Sequence, residues 1–449
     1  MSSSAVVPTA RGALPLVGHA PALLRDALGF FSALPALGDL VRIRLGSQSM
    51  VLVCSPELTW KLLQDDRTFD KGGHVMDRVR EIGGDGLASC PHSQHRRQRR
   101  LCQPSFHASR YAGYSTVMAA EAEAAAAQLR HGQTADVHRH VMRYASQAGV
   151  RAMFSTGVPD EYMELFPGDV ATVLEGIVVR AVLPPVLTRL PTPGNRRYFQ
   201  ARSRTRQTVS RIIAQHRASG TDHGDLLSSL LAATDTESDD GSRTLSDSEA
   251  LDQVVTFLLA GTETTATTVS WALHLLAQNP QIQRRVREQI DTVLRGAAPS
   301  HDDLPRLELI DHVITETLRL YPAAWLNTRI TTRDTRLGDF DLPQGTSLVY
   351  SPYVIHHRSD VYDDPELFLP DRWHGVRPDR TTYLPFGGGA RKCIGDRFAW
   401  TEIALFLATL LSRWEFSPAD DRPVVPAVGL SLTPKNLRLR VTRRTAPDC

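Results

Sequence analysis

Between Ser246 and Pro280 the chain has no proline to stop a helix, and the stretch opens with its own cap. Ser246-Asp247-Ser248-Glu249 is a capping box: the serine hydroxyl can take the Glu249 N–H while the glutamate reaches back to the serine N–H. The helix so defined is about 30 residues, roughly 45 Å long at 1.5 Å per residue, enough to cross a whole domain. Whatever this chain folds into is built around that rod. Its flanks are apolar, with Leu251, Val254, Val255, Leu258 and Leu259 before the middle and Val269, Leu273 and Leu276 after it. The middle, Ala260-Gly261-Thr262-Glu263-Thr264-Thr265, is small and polar. Gly there costs about 1 kcal/mol relative to Ala. Threonines alone would be explained by hydroxyls bonded to the preceding turn. A glycine, an acid and threonines together at mid-helix point to a local opening beside a flat group, with Glu263 and Thr264 as a pair that hands on protons.

A second stretch carries chemistry near the C-terminus. Phe386-Gly387-Gly388-Gly389-Ala390-Arg391-Lys392-Cys393-Ile394-Gly395 sets three glycines ahead of one cysteine, and Asp396 opens an apolar helix. Successive glycines strip every Cβ from one face of a turn, so another backbone or a flat ligand can come close. Cys393 then lies near a helix N-terminus, where free N–H groups and the dipole favour a thiolate. Phe386 can cover the sulfur, and Arg391 adds positive charge. A lone cysteine is most often a small buried hydrophobe. A dinucleotide fingerprint is excluded, because no strand–helix–strand unit with a downstream acid follows. Zinc is disfavoured, because no second cysteine or histidine stands two to four residues away. What remains is the arrangement that a cysteine-ligated haem needs.

These ten residues closely resemble the haem-binding signature of the cytochromes P450. Ala260-Gly261-Thr262-Glu263-Thr264 resembles the oxygen-activation motif of that family at each position. Glu316-Thr317-Leu318-Arg319 puts an acid and a base on one helical face among apolar neighbours, where a buried pair needs further partners. It matches the family's Glu-x-x-Arg pair, and Arg372, in Phe368-Leu369-Pro370-Asp371-Arg372-Trp373, matches the arginine downstream. The motifs occur in the family order, and the likeness covers about residues 20–445.

The resemblance implies a mainly α protein with a small β-rich lobe, a triangular helical prism with haem b between the long central helix and the Cys393 loop. Expected bounds are a turn-rich segment at 1–19 and a single catalytic domain at 20–445, β-rich mainly at 36–60 and 326–352. Cys393 is the implied iron ligand, with Phe386, Gly395 and Gly261 framing the haem. His95, Arg99, Arg329 and Arg391 are the implied cations for its propionates. Glu263 and Thr264 are the implied catalytic pair, and Glu316, Arg319 and Arg372 a structural set. The implied reaction is monooxygenation, in which O2, electrons and protons put one oxygen into the substrate and release water. The acid–Thr pair favours O2 over peroxide as oxidant. No flavin or iron–sulfur region is present, so electrons are expected from a separate ferredoxin and its reductase. Arg96, Arg97, Arg100 and Lys392 are left as a basic patch that would steer an acidic donor.

Composition bounds the rest. The 449 residues are 42% hydrophobic with a net charge of +2, which gives no reason to expect nucleic acid as a partner. Cys54, Cys90, Cys102, Cys393 and Cys449 are scattered and odd in number, which suits a reducing compartment. No run of 18 apolar residues occurs and the N-terminus lacks a signal-peptide pattern, so the expectation is a cytoplasmic monomer without membrane insertion. Along the chain, a helix is expected at about 21–34, then a hairpin over 40–53 and a helix after Ser55-Pro56. Glycines at 72, 73, 83, 84 and 86 suggest a long irregular loop over 71–87, and 94–217 reads as mostly helical. The acidic, serine-rich segment 234–248 reads as an exposed loop.

Pocket walls are expected from five places. Val75, Met76 and Val79 come from the 71–90 loop. Val178, Val179 and Leu183 belong to 173–190, and the proline-rich segment 178–193 is a candidate lid. Leu258 and Leu259 come from the long helix, Ala323, Ala324, Trp325 and Leu326 from the segment after Pro322, and Leu430 from a turn near the C-terminus. Few charges line this set, so the expected substrate is compact and hydrophobic. The motif wording resembles the actinobacterial sesquiterpene oxidases of the family, which makes a terpene of secondary metabolism the first expectation. A fatty acid, a polyketide or macrolide, and a steroid are alternatives, as is a haem protein that senses without turnover.

Overall fold

The structure is a computed structural model, and it describes residues 5–155, 157–183, 185–237 and 243–444. Pro184 of the expected lid, 238–242 of the acidic segment, 1–4 and 445 lie outside these.

The helices follow the punctuation of the sequence. First come α1 (Ala20–Ala33), α2 (Pro56–Gln64), α3 (His74–Gly83) and α4 (His92–Cys102). Ser55 caps α2, its hydroxyl accepting the Leu58 N–H at 3.2 Å, with proline in the first turn. Next are α5 (Tyr111–Ala127), α6 (Val137–Met153), α7 (Asp160–Val182), α8 (Pro185–Arg189), α9 (Pro193–Ser219) and α10 (Leu226–Ala232). The long rod is α11 (Asp247–Gln278), 32 residues, followed by α12 (Pro280–Leu294), α13 (Glu308–Leu320), α14 (Pro352–His356) and α15 (Asp396–Arg413). Its capping box is closed: Ser246 Oγ accepts the Glu249 N–H at 3.2 Å, and the Glu249 carboxylate accepts the Ser246 N–H at 2.9 Å.

Two apolar cores meet along α11. Val254, Val255 and Leu258 belong to one, with α7, α9 and α10. Ala266, Val269 and Leu273 belong to the other, with α6, α12, α13 and α15. Each fully buried aliphatic side chain contributes about 1.5–3 kcal/mol, so both ends of the rod are held firmly. The polar middle falls at the seam between the cores.

The strands are β1 (Leu40–Leu45), β2 (Gln48–Val53), β3 (Phe69–Asp70), β4 (Thr134–Asp136), β5 (Asn327–Thr331), β6 (Thr335–Leu337), β7 (Phe340–Leu342), β8 (Ser347–Tyr350), β9 (Trp414–Pro418), β10 (Val425–Val428), β11 (Leu432–Lys435) and β12 (Arg438–Arg443). The largest sheet runs β1-β2-β8-β5-β3, with β2 and β8 parallel and the other pairs antiparallel. A second sheet runs β4-β12-β9, and β6-β7 and β10-β11 are hairpins.

Two expectations are corrected. Residues 74–83 form α3 where an irregular loop was expected. The glycines bracket this helix: Gly73 precedes it at φ 85° and Gly84 ends it at φ 58°, the left-handed region that favours glycine. Between them Arg80 pairs with Asp77 one turn away, Arg78 pairs with Glu81, and Ile82 is buried. The acidic segment is also less exposed than its composition implies. Asp235 and Leu245 are buried, Asp235 against Arg100.

Behind the site, α13 carries a buried ionic network. Glu316 and Arg319 both have 0% side-chain exposure and form two bonds of 2.9 Å. Glu316 also accepts from Arg372 Nε at 3.0 Å, Trp373 Nε1 at 2.9 Å and the Leu369 N–H at 3.1 Å. Arg319 donates to the carbonyls of His356, Pro365 and Leu367. Every charge is answered, which a buried pair needs if it is not to cost stability. Glu316→Ala leaves two guanidiniums without their carboxylate and is expected to lower the unfolding free energy by about 3–5 kcal/mol. A chemical-denaturation midpoint close to that of the parent protein would contradict this.

Candidate active site

The Cys393 loop is held from below and from beside. His356 Nδ1 lies 3.1 Å from the Arg319 carbonyl, and Nε2 accepts the Leu384 N–H at 2.9 Å. Burial holds this imidazole neutral, its pKa pushed down to about 3, so one nitrogen donates while the other accepts. Two residues on, the Phe386 carbonyl accepts the Cys393 N–H at 2.9 Å and closes the loop. The glycine run makes room for protein: a Cβ on Gly389 would come within 1.9 Å of the Leu63 carbonyl oxygen, and one on Gly388 within 2.7 Å of the Trp60 ring. Of the two occupants left open by the sequence, it is the α2 backbone that comes close. Phe386 packs against the larger core.

Cys393 itself is exposed. The surrounding protein nevertheless desolvates the sulfur and pushes the thiol pKa up. The Gly395 N–H, Arg99 and Lys392 act in the opposite direction. A cation bound at the sulfur would act in the same direction as these groups and favour the thiolate.

On the long helix, Ala260 is exposed at mid-span, and a Cβ on Gly261 would meet nothing within 4 Å. The helix remains continuous there, so the opening comes from small side chains without unwinding. Thr264 Oγ1 donates to the Ala260 carbonyl at 2.6 Å. Glu263 accepts from Ser431 Oγ at 2.8 Å, and burial pushes its pKa up. The N-terminal half of α11 and the Cys393 loop share one apolar cluster, in which Phe257, Leu258 and Leu259 join Ile394 and Phe398. Phe106 lies edge-on to both Phe257 and Phe398 at 5.2 and 6.4 Å.

The four expected cations have different surroundings. Arg99 reaches the loop, donating to the Lys392 and Ala390 carbonyls. Arg329 is buried, bonded to the Thr328 carbonyl and set 5.5 Å over the Tyr350 ring. His95 is buried, and its pKa is lowered to about 3, first by burial and then by Arg391, so it is neutral, with Nδ1 3.9 Å from the Asp66 carboxylate. Arg391 is taken by two carboxylates, Asp66 at 3.0 Å and Asp70 at 2.8 Å, and by the Cys90 carbonyl at 2.8 Å. It ties the loop to β3 more than it presents a free charge. Sequence reasoning missed Lys71. Burial, Arg329 and Arg391 push its pKa down to about 7, and no carboxylate is among the charges acting on it. Lys71, Arg329 and Arg99 thus gather positive charge beside an exposed sulfur and an open glycine. That donor set fits a flat cofactor with two carboxylates and a thiolate-bound iron.

The expected basic patch is largely neutralised. Arg97 pairs with Glu249, Arg100 with Asp235 and Glu237, and Lys392 with Asp396. Arg96 is exposed. These acids lie far away in sequence or in the next helix, where composition could not point to them.

The expected pocket residues divide. Val79, Leu258, Leu259 and Leu430 share one apolar cluster, and Val75 and Met76 are half-buried on α3 beside Val79. Ala324 and Leu326 are half-buried, whereas Ala323 and Trp325 are core residues. Trp325 stacks edge-on to Phe31 and donates to the Gly429 carbonyl at 3.0 Å. Val178 is half-buried, while Val179 and Leu183 are exposed and line a cavity of about 460 Å³ between α7 and α9, with Arg180 over the Tyr198 ring. An apolar helical stripe does not say which of its neighbours it faces. Among the described residues, no helix is long and apolar enough to cross a membrane.

Comparison with known proteins gives a family. The family model described as cytochrome P450 matches residues 8–441. Pentalenene oxygenase of Streptomyces avermitilis is 46% identical over 447 residues, 98% of each chain. Cyclooctat-9-en-7-ol 5-monooxygenase of Streptomyces melanosporofaciens is 44% identical, covering 91% of this chain and 89% of its own. Cyclooctatin synthase of the same organism is 42% identical, covering 96% and 94%.

One further acid near the site makes a prediction. Glu402, on α15, is buried, and among the described residues its carboxyl accepts a hydrogen bond only from Thr265 Oγ1, at 3.3 Å, while Oε1 has no partner. Burial pushes its pKa up from 4.5 to about 8. Between those values the folded protein keeps a proton that the unfolded chain has lost, so stability falls as pH rises. Glu402→Gln removes that loss. Its melting temperature relative to the parent protein is expected to climb from about pH 4.5 towards about pH 8. A difference that is flat or declining over this range would show that the acid is already ionised.

Proposed function

The chain belongs to the cytochrome P450 family, and on that premise we propose that it oxidises a compact terpene, with Cys393 as the iron ligand. Proteins of this family are haem-thiolate monooxygenases, and this chain is an oxidoreductase of that kind. The carrying observation is the exposed Cys393 sulfur in a loop fixed at both ends, with the uncovered Gly261 on the helix that shares its apolar cluster.

Bound haem supplies O2 activation and oxygen transfer. The chain does the remainder. Arg99, Arg329 and Lys71 would hold the propionates, and His95 and Arg391 would order the β3 side of the same region. Gly261 and Ala260 leave room beside the helix, and Gly395 and Phe386 frame the loop. Glu263, held protonated more readily by burial, takes and gives protons at its carboxyl, and Thr264 passes them at Oγ1. Val79, Leu258, Leu259 and Leu430 offer an apolar wall without a charge. A hydrocarbon needs no polar anchor, and the named substrates of two relatives, pentalenene and cyclooctat-9-en-7-ol, are terpenes. Electrons come from a ferredoxin and its reductase, and the protein works as a monomer in the cytoplasm.

Reduced protein under carbon monoxide is expected to give the absorption band of a thiolate-bound iron porphyrin, and Cys393→Ser to lose it in folded material. Titration with cyclic terpenes is expected to shift the ferric iron from low to high spin. A shift with fatty acids or macrolides and none with any terpene would sink the substrate assignment. Thr264→Ala is expected to keep electron consumption while product falls by about a hundredfold, the lower end for a lost proton-transfer group.

A further inference from the structure

Glu263 and Thr264 are neighbours in sequence but not on the helix surface. Successive residues of an α-helix diverge by about 100°, so their side chains do not face each other unaided. The orientation of the acid must be set from outside α11. Among the described residues no lysine, arginine or histidine pairs with Glu263. Glu175, an exposed acid on α7, is the charged group acting on it, and it repels. Ser431 Oγ, 2.8 Å away, is the group that holds it.

Ser431 sits in the turn between β10 and β11, and that turn is unusually well fastened. Trp325 Nε1 donates to the Gly429 carbonyl at 3.0 Å, and Trp271 Nε1 to the Leu432 carbonyl at 2.7 Å. The Leu432 N–H donates to the Ala323 carbonyl at 3.2 Å. Both indoles are buried, Trp271 stacked on Tyr321 at 3.7 Å and Trp325 edge-on to Phe31 at 5.6 Å. A hydroxyl on so fixed a turn is itself fixed, and Ser431 is buried.

We propose that Ser431 is a positioning residue, holding the Glu263 carboxyl in one orientation for proton delivery. The inference rests on Glu263 being the acid of that delivery. Leu430, beside it, packs in the cluster of Leu258 and Leu259, so one turn touches both the apolar wall and the acid.

The test uses the full-length haem-loaded protein without substrate. Infrared difference spectra follow the protonated carboxyl band of Glu263, assigned by its loss in Glu263→Gln, across a pH series. A serine hydroxyl that donates to the carboxylate lowers its pKa, so Ser431→Ala is expected to raise the midpoint by about one pH unit. Ser431→Thr keeps the hydroxyl and is expected to restore it, which a packing defect would not do. With a surrogate ferredoxin and reductase, Ser431→Ala is also expected to release severalfold more peroxide per electron consumed. An unmoved midpoint in Ser431→Ala, or one that threonine does not restore, overturns the inference. A moved midpoint with unchanged peroxide supports the positioning and instead removes Glu263 from proton delivery.

Discussion

The carboxylate of Glu316 is the contact on which the region behind the site depends. It is wholly buried and accepts from Arg319, Arg372, Trp373 and the Leu369 backbone. An isolated carboxylate in such a place would cost many kcal/mol, and only the ring of donors makes the site possible. The same network extends forwards. Arg319 passes its carbonyl to His356, His356 takes the Leu384 N–H, and Leu384 leads into the loop that the Cys393 N–H closes on Phe386. Through these bonds α13 is tied to the loop that carries the sulfur.

The second constraint is the seam along α11. Each half of the rod is sealed into its own core, and the residues between them are small or polar. Burial at both ends lets the middle carry a glycine, because the loss of about 1 kcal/mol at Gly261 is small beside the packing of its flanks. The small and polar residues occupy the stretch where packing is least demanding.

What was legible in the sequence was written locally. The Ser246 capping box, the absence of proline before Pro280, the glycines ahead of Cys393 and the acid and base one turn apart at Glu316 and Arg319 all declare themselves over a few residues. What was not legible depended on distant partners. Arg391 looked like a free cation because Asp66 and Asp70 stand more than 300 positions earlier. Lys71 gave no signal, since a lysine before two glycines is usually a solvated turn. The α3 helix was obscured because its bounding glycines were read as belonging to a loop. Ser431 was hidden in a hairpin whose side-chain directions only the pairing of β10 with β11 decides. Glu402, a single acid in the apolar run Ile403-Ala404-Leu405-Phe406-Leu407, could have been singled out.

The parallel pairing of β2 with β8 has a consequence for biosynthesis. Met50 lies opposite Ser347 and Val53 opposite Tyr350, so the central pair of the main sheet joins segments almost 300 residues apart. On the ribosome β2 can pair with β1 at once, but its other edge has no partner until most of the chain has been made, and closing so long a loop is slow. Arg329, on β5 next to β8, is made only shortly before β8, and the Cys393 loop arrives later still. The main sheet and the Cys393 loop are therefore completed only at the last stage of synthesis. Until then β2 keeps one edge unpaired, the kind of edge on which wrong pairings form.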